Sequence, residues 1–441
     1  MKKQILVVCI VFLLVFSSWF GFQHWSCNEC KAAASFSDSS EVSTNIIIPI
    51  SHCIEGVPYI GQETDFFCAY ATITMVYDYH GLDTSLEETL FHAGVGYSLV
   101  HIDKNPLVLG GFIVSQGKEN LEFLADIYNS TVDIRAFEAT SSNEDPWDEY
   151  WTCILENITL NHPVIVSVNV FELPSFQEQF DVHDTAFEDN PPGHGIVIVG
   201  FNTDNNSVCY HDPAAALYGD PSLGTYAWMS IENFQQAAWN SLYEYYTFFL
   251  FTPLSGPVDK EQAFHRAHER NMKKLNGEMS AYTSELEELE GVSLGVNAAE
   301  ALQQDFSRGF RHRLRTILLY KLFGTQNRLI LRQWRRSSLR DDIPYSFYQQ
   351  IQAEQNDYGR IGVERDYMVS FLLSSPFYES ASNEHELLEQ EAEAWYSLAD
   401  DFSLFLQRGF FLSTLRSVFL VNRMKNTMGT IIDLHEQLLD L

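Results

Sequence analysis

Gly193-His194-Gly195-Ile196-Val197-Ile198-Val199-Gly200-Phe201 is the stretch on which the reading of this chain turns. From Ile196 onward it offers no polar face to water, so it reads as a strand buried on both sides. A histidine stands at its start. Downstream, Asn202 to Asn206 reads as a turn and Val208 to His211 as a further strand, running into Asp212-Pro213. Upstream, Val164 to Val170 is a β-branched run of strand type. Further upstream, Cys68-Ala69-Tyr70-Ala71-Thr72-Ile73-Thr74-Met75-Val76-Tyr77 reads as a buried helix with a thiol at its first position, and Gln62 lies six residues before that thiol.

A glutamine, a cysteine, a histidine at a strand start and an aspartate after a second strand are the parts of a thiol nucleophile site. A free thiol is largely protonated at neutral pH, and the thiolate is what attacks. Two devices would lower the pKa of Cys68: the positive end of the helix it opens and an imidazolium supplied by His194. Asp212 would hold the far ring nitrogen and fix the tautomer. Gln62 would donate its amide to the oxyanion formed on a carbonyl, together with the Cys68 backbone N–H. Each residue also has a plainer reading, as packing, a satisfied histidine or a turn. The order and spacing of the four favour the site. His211 and Asp212, adjacent on a strand, should point to opposite faces, so His211 reads as structural.

The surrounding elements give the fold class. Thr64-Asp65 offers an N-cap to a helix over Cys68 to Tyr79, ended by Gly81. Ser85-Leu86-Glu87-Glu88 opens a second helix with a capping-box pattern. Asn120 to Tyr128 and Trp147 to Asn161 read as helices. Thr225 to Met229 and Tyr245 to Phe251 read as strands. Helices first and antiparallel strands later make an α+β pattern. After residue 258 only helices are expected, over Gln262 to Asn276, Ala299 to Phe323, Tyr367 to Leu373, Glu384 to Gln407 and Leu412 to Leu439.

The chain has 441 residues and a net charge of −32, which argues against nucleic acid as a partner. Residues 41–254 hold 30 acidic residues against only Lys104, Lys118 and Arg135, whereas 255–441 hold 27 against 21 basic ones. That shift places a boundary near Pro253 to Pro257. The expected organisation is a leader over 1–34, a Ser-rich linker over 35–45, a catalytic domain over 46–254 and a helical domain over 258–441. Lys2-Lys3 followed by uncharged Ile5 to Phe22 reads equally as a cleaved secretory signal, with Ala32-Ala33-Ala34 as a cleavage site, or as a retained membrane anchor. Either way the chain is expected to be secreted or held on the outer face of the membrane. Cys27 and Cys30 have no second pair, so no zinc site is expected. If Cys68 is a free nucleophile, at most two of Cys53, Cys153 and Cys209 can pair. No metal or cofactor is expected. The acidic stretch Glu178 to Asp189, with His183 and Asp184, reads as a solvated loop. The stretch Arg308 to Arg340 reads as an amphipathic helix pair with a basic face.

At Gln62, Cys68, Met75, Gly81, Gly193 to Phe201, Asp212-Pro213, Ile231-Glu232-Asn233-Phe234 and Trp239 the chain resembles papain-clan cysteine hydrolases, in particular the bacteriocin-processing (double-glycine leader) peptidases. The resemblance implies a papain-like fold with Cys68 as nucleophile, His194 as base and acid, Asp212 as its orienter and Gln62 as an oxyanion donor. It departs from the family after the nucleophile, where Gly-Pro is common and this chain has Ala69-Tyr70. Cys68 to Gly96, with Gly362 to Tyr367, Phe371-Leu372 and Trp395, also resembles butirosin biosynthesis protein H. That resemblance implies acyl transfer from a carrier protein to an amine.

Three readings follow. The first is an exported cysteine peptidase or amidase working through a thioester on peptide or amide substrates. The second is an acyltransferase using the same thiol, with an amine in place of water. The third is a catalytically silent binding module, which the intact Gln62, Cys68, His194 and Asp212 argue against.

Overall fold

A computed structural model describes residues 46–62, 64, 67–102, 107–109, 118–139, 145–179, 193–239, 245–282, 291–304, 343–378, 383–409 and 414–441. The leader, the linker up to residue 45, most of the acidic stretch and the Arg-rich stretch 308–340 lie outside the described residues. Among the described residues, no helix is long and apolar enough to cross a membrane.

In chain order the elements are β1 (Ser51–Cys53), α1 (Cys68–Tyr79), α2 (Leu86–Ala93), β2 (Val100–Ile102), β3 (Leu107–Leu109), α3 (Lys118–Ile127), β4 (Ser130–Glu138), α4 (Trp147–Thr159), β5 (Val164–Asn169), α5 (Pro174–Gln179), β6 (Gly193–Asn202), β7 (Ser207–His211), α6 (Ala214–Leu217), β8 (Ala227–Ser230), α7 (Ile231–Ala238), β9 (Tyr245–Pro253), α8 (Lys260–Leu275), β10 (Val292–Leu294), α9 (Ile343–Ser374), α10 (Glu384–Gly409) and α11 (Thr414–Leu439). The architecture is α+β, as the element pattern implies. The described residues form two compact units, one within 46–81 and 133–252, the other within 82–132 and 253–441.

The first unit is built on a seven-stranded sheet of order β4-β9-β5-β6-β7-β8, with β1 also pairing β6. β6 is the centre. It runs antiparallel to β5, with Val168 opposite His194, and to β7, with Val197 opposite His211. Its residues Ile196 to Val199 and Phe201 are fully buried, which is why the run carries no alternation. β1 passes so close to Gly200 that a Cβ there would lie 2.9 Å from the His52 carbonyl oxygen, so only glycine fits. α1 packs on β6 and is buried from Tyr70 to Tyr77. The expected Thr64-Asp65 cap is not the observed one. The N-cap is Phe67, which makes no side-chain capping bond. β5 stops at Asn169, whose side chain accepts from the Phe171 N–H and turns the chain. β8 starts later than expected because Tyr226 has φ +47°, outside strand geometry.

In the second unit, Ser85 caps α2 by accepting from the Glu88 N–H at 3.1 Å, as its capping-box pattern implies. Residues 295–304 are helical. Two expectations are corrected. A strand, β10, lies in the stretch expected to be purely helical and pairs antiparallel with β2. Three residues between Gly291 and Gly295 are too few to show a period of two. α9 is 32 residues long, not the seven expected. Gly359 and Gly362 depress its local helix propensity, but Gly362 is where the Tyr396 ring seats, with ring atoms 2.8–2.9 Å from where a Cβ would be. α9, α10 and α11 meet at one buried carboxylate. Glu391 Oε1 accepts from Arg365 Nη2 at 2.9 Å, from Trp395 Nε1 at 2.8 Å and lies 2.8 Å from His435 Nε2.

Candidate functional site

The first unit brings Cys68, His194 and Asp212 together. Cys68 is the first residue of α1, His194 the second of β6, and Asp212 the first after β7. Because α1 packs on β6, the helix start faces the strand start. Because β6 and β7 are antiparallel neighbours, the end of β7 lies beside the start of β6. His194 Nε2 is 2.7 Å from Asp212 Oδ1, with the histidine nearly and the aspartate wholly buried. Nε2 is thus committed to Asp212, and Nδ1 is the nitrogen left for the Cys68 thiol, to which the ring is hydrogen-bonded. Cys68 itself retains some solvent exposure.

The missing helix cap has a chemical consequence. The first-turn N–H groups of a helix have no partner within it. Here the Ala69 N–H is not taken by a capping side chain and points to the Cys68 sulfur, joined by the Gly195 N–H. Burial pushes the thiol up, but the hydrogen bond and charge of His194 and these two amides outweigh it and hold the thiol below its ordinary value. Burial alone would lower His194. The Asp212 carboxylate, the hydrogen bond to it and the Cys68 thiolate reverse this and push the imidazole up to about 10. Asp212, whose burial would raise it, is held below the usual carboxylate range by His194, Ser175 and the Ala214 N–H. The three directions favour the charged forms: thiolate, imidazolium and carboxylate.

Asp212 is held by its backbone as well as by its carboxylate. Its N–H donates to the Gly224 carbonyl at 2.8 Å and its carbonyl accepts from the Tyr59 hydroxyl at 2.9 Å. Oδ1 also accepts from the Ala214 N–H at 2.9 Å. Oδ2 accepts from the buried Ser175 hydroxyl, a residue that sequence reasoning missed. Ser175 carries no signal in its local sequence. It reaches Asp212 only because the turn after β5 starts α5 beside the end of β7.

Gln62 is buried next to this loop, with its backbone N–H donating to the Pro213 carbonyl at 3.0 Å. Its side-chain Nε2 donates to the Thr64 carbonyl at 3.2 Å, and Oε1 has no partner among the described residues. The amide nitrogen carries two hydrogens, so one donor remains beyond the bond to Thr64. His211 is buried against the rings of Tyr59 and Tyr226, and burial lowers it to about 4. His183 and Asp184 lie outside the described residues. Among the described residues, no group of three or more His, Cys, Asp or Glu side chains is placed to hold a metal ion. Cys53, Cys153 and Cys209 are free thiols.

Residues 54–247 match the family model of the Peptidase_C39 like family. The matched segment includes Gln62, Cys68, His194 and Asp212 and supports a papain-clan cysteine peptidase-like domain there. It spans less than half of the chain and stops before the later helices, and it does not bear on the resemblance to butirosin biosynthesis protein H. No curated protein matches the chain.

Proposed function

We propose that the protein is a cysteine hydrolase that cleaves peptide or amide bonds through a thioester on Cys68. The observation that carries this reading is the buried series Cys68–His194–Asp212, in which the thiol is held down and the imidazole up. The Cys68 thiolate attacks the substrate carbonyl carbon, and the carbonyl π pair moves to oxygen. The resulting oxyanion takes hydrogen bonds from the Cys68 N–H and the Gln62 amide. As the oxyanion collapses, the C–N bond breaks, and His194 Nδ1 gives its proton to the leaving amine. His194, now neutral, takes a proton from water. The hydroxide so formed attacks the thioester and releases the acid, and the thiolate–imidazolium pair is restored. Asp212 keeps the ring in the required tautomer throughout.

The similarity of residues 54–247 to cysteine peptidases supports a peptide as the substrate class. Export, through the leader at residues 1–34, is part of the same reading. N-terminal sequencing of the protein from separated cell fractions tests it. An alkylating or epoxide cysteine probe, read by intact mass, is expected to give one adduct that disappears in Cys68→Ala and forms slowly in His194→Ala. Persistent labelling in Cys68→Ala rules the nucleophile out. Peptide-library mass spectrometry should show cleavage by the wild type only. Turnover of a model thioester that speeds up only with added amine would favour the acyltransferase instead.

A further inference from the structure

We propose that Ser175 is a positioning residue for this reaction: its hydroxyl locks the rotation of the Asp212 carboxylate, and through it the ring of His194. The inference rests on the Cys68–His194–Asp212 reading and adds a fourth member to the series. The torsion that turns an aspartate carboxylate is broad, so its own rotamer preference does not decide which oxygen faces the histidine. Here Oδ1 is shared by His194 Nε2 and the Ala214 N–H, while the Ser175 hydroxyl alone donates to Oδ2 among the described residues. Ser175 and Asp212 are both buried, with relative exposures of 1% and 0%, so water does not replace the hydroxyl at low cost.

The hydroxyl is held in place by the packing of α5. Phe176 meets Phe171 edge-on at 5.0 Å and Tyr218 at 5.4 Å, and Gln177 Nε2 donates to the Phe171 carbonyl at 2.9 Å. Without the hydroxyl, Oδ2 becomes a buried anionic oxygen lacking a donor. Rotation of the carboxylate or uptake of a proton relieves that, and either weakens the imidazolium and hence the thiolate. Besides His194, the titratable groups that face Asp212 are Tyr59 and Tyr210, both pushed up by burial and by the Asp212 charge, with Glu178 acting in turn on Tyr210. Tyr210 also hydrogen-bonds Ser175, and both phenols stay neutral across the range in which the thiol titrates, so neither adds a change of charge of its own to the Cys68 profile.

The test uses the full chain as wild type, Ser175→Ala, Ser175→Thr and Ser175→Val, with thermal melts alongside. Thr and Val match in shape and differ in the hydroxyl. The first readout is the rate of Cys68 alkylation by iodoacetamide against pH, with the adduct assigned by intact mass. In Ser175→Ala and Ser175→Val the midpoint is expected to move up by about one pH unit toward the ordinary thiol value, while Ser175→Thr stays with the wild type. The second readout is turnover of a cleaved library peptide, where kcat is expected to fall about tenfold at unchanged KM in the hydroxyl-free variants only. Profiles of Ala and Val that overlay the wild type overturn the role of Ser175 and leave the Cys68 reading standing. A wild type whose Cys68 alkylates with an ordinary thiol midpoint overturns that reading, and this inference with it. If Ala melts low, the Thr and Val pair decides, since a purely structural role would move both alike.

Discussion

Burial raises every thiol in the described residues, and only Cys68 escapes. Burial pushes Cys153 up to about 11 despite the Arg135 charge near it, and Cys53 and Cys209, which face each other, are also raised. Selective alkylation follows. Between pH 6 and 8, Cys68 should react with iodoacetamide while the other three stay largely unmodified, and peptide mapping would read this directly. Cys68 and His194 titrate as a pair. The thiolate persists as pH falls below the ordinary thiol value, and the imidazolium is lost as pH rises through about 10. Gln62 acts on a different step. Gln62→Ala is expected to lower kcat by about 100-fold, one oxyanion donor's share, while the alkylation profile of Cys68 is unchanged. A shifted profile would mean that Gln62 acts on the thiol instead. At this scale Cys68, His194 and Asp212 are legible because each is a chemically distinctive residue at an element boundary. Ser175 is not legible, since a serine after a proline has many other uses.

Elements place these side chains, and one close approach shows how. Asp212 sits in a turn whose partner is Gly224, and a Cβ on that glycine would lie 2.3 Å from the Asp212 carbonyl oxygen. Gly224→Ala is therefore expected to shift the Asp212 loop, with a lower Tm and a lower kcat measured together. In the second unit, Glu391 is the common acceptor of α9, α10 and α11. Its carboxyl is held at about 2, burial being outweighed by Arg365 and His435. Glu391→Leu leaves Arg365 buried without its partner, and should cost about 3–5 kcal/mol in denaturant unfolding. A change below about 1 kcal/mol would show that the three helices do not depend on this junction. The length of α9 was hidden by its glycines, because the ring packing that offsets their poor propensity comes from another helix. β10 was hidden by its shortness.

For the whole molecule, the same shifts predict how stability depends on pH. His80 and His211 are lowered to about 4 and His92 to about 3, all by burial. Below the ordinary histidine value of 6.5 the unfolded chain binds protons that the folded chain refuses, so stability falls as pH drops toward those values. The Glu391 contribution is present above the ordinary carboxylate value and is lost as pH falls toward about 2. His194 has the opposite sign. Its raised pKa contributes stability in full below 6.5, and this is lost as pH rises through about 10. Tyr97 and Tyr150, both raised by burial, oppose ionisation on the same alkaline flank. Calorimetry across pH should find the highest Tm between about 6.5 and about 10, with losses on both sides. A Tm that kept rising down to pH 4 would contradict the buried neutral histidines. With two compact units the transition need not be a single one, and each unit should be followed by its own probe.

Local chemistry and periodicity are carried in short windows of sequence, so the sequence by itself determined the α+β class, the buried β6 run and the helix that opens on Cys68. It also singled out a thiol, an imidazole and a carboxylate in a sensible order. What side chains do across long separations is not carried in any window. Ser175 and Asp212 lie 37 residues apart, and only the sheet order and the turn after β5 bring them into contact. That residues 82–132 pack with those beyond 253 was likewise decided by tertiary contacts, because a segment's partner is chosen by the surface it buries and not by its neighbours along the chain. The uncapped start of α1 shows both levels at once. The sequence supplied a helix start, and the fold turned its free N–H toward the sulfur.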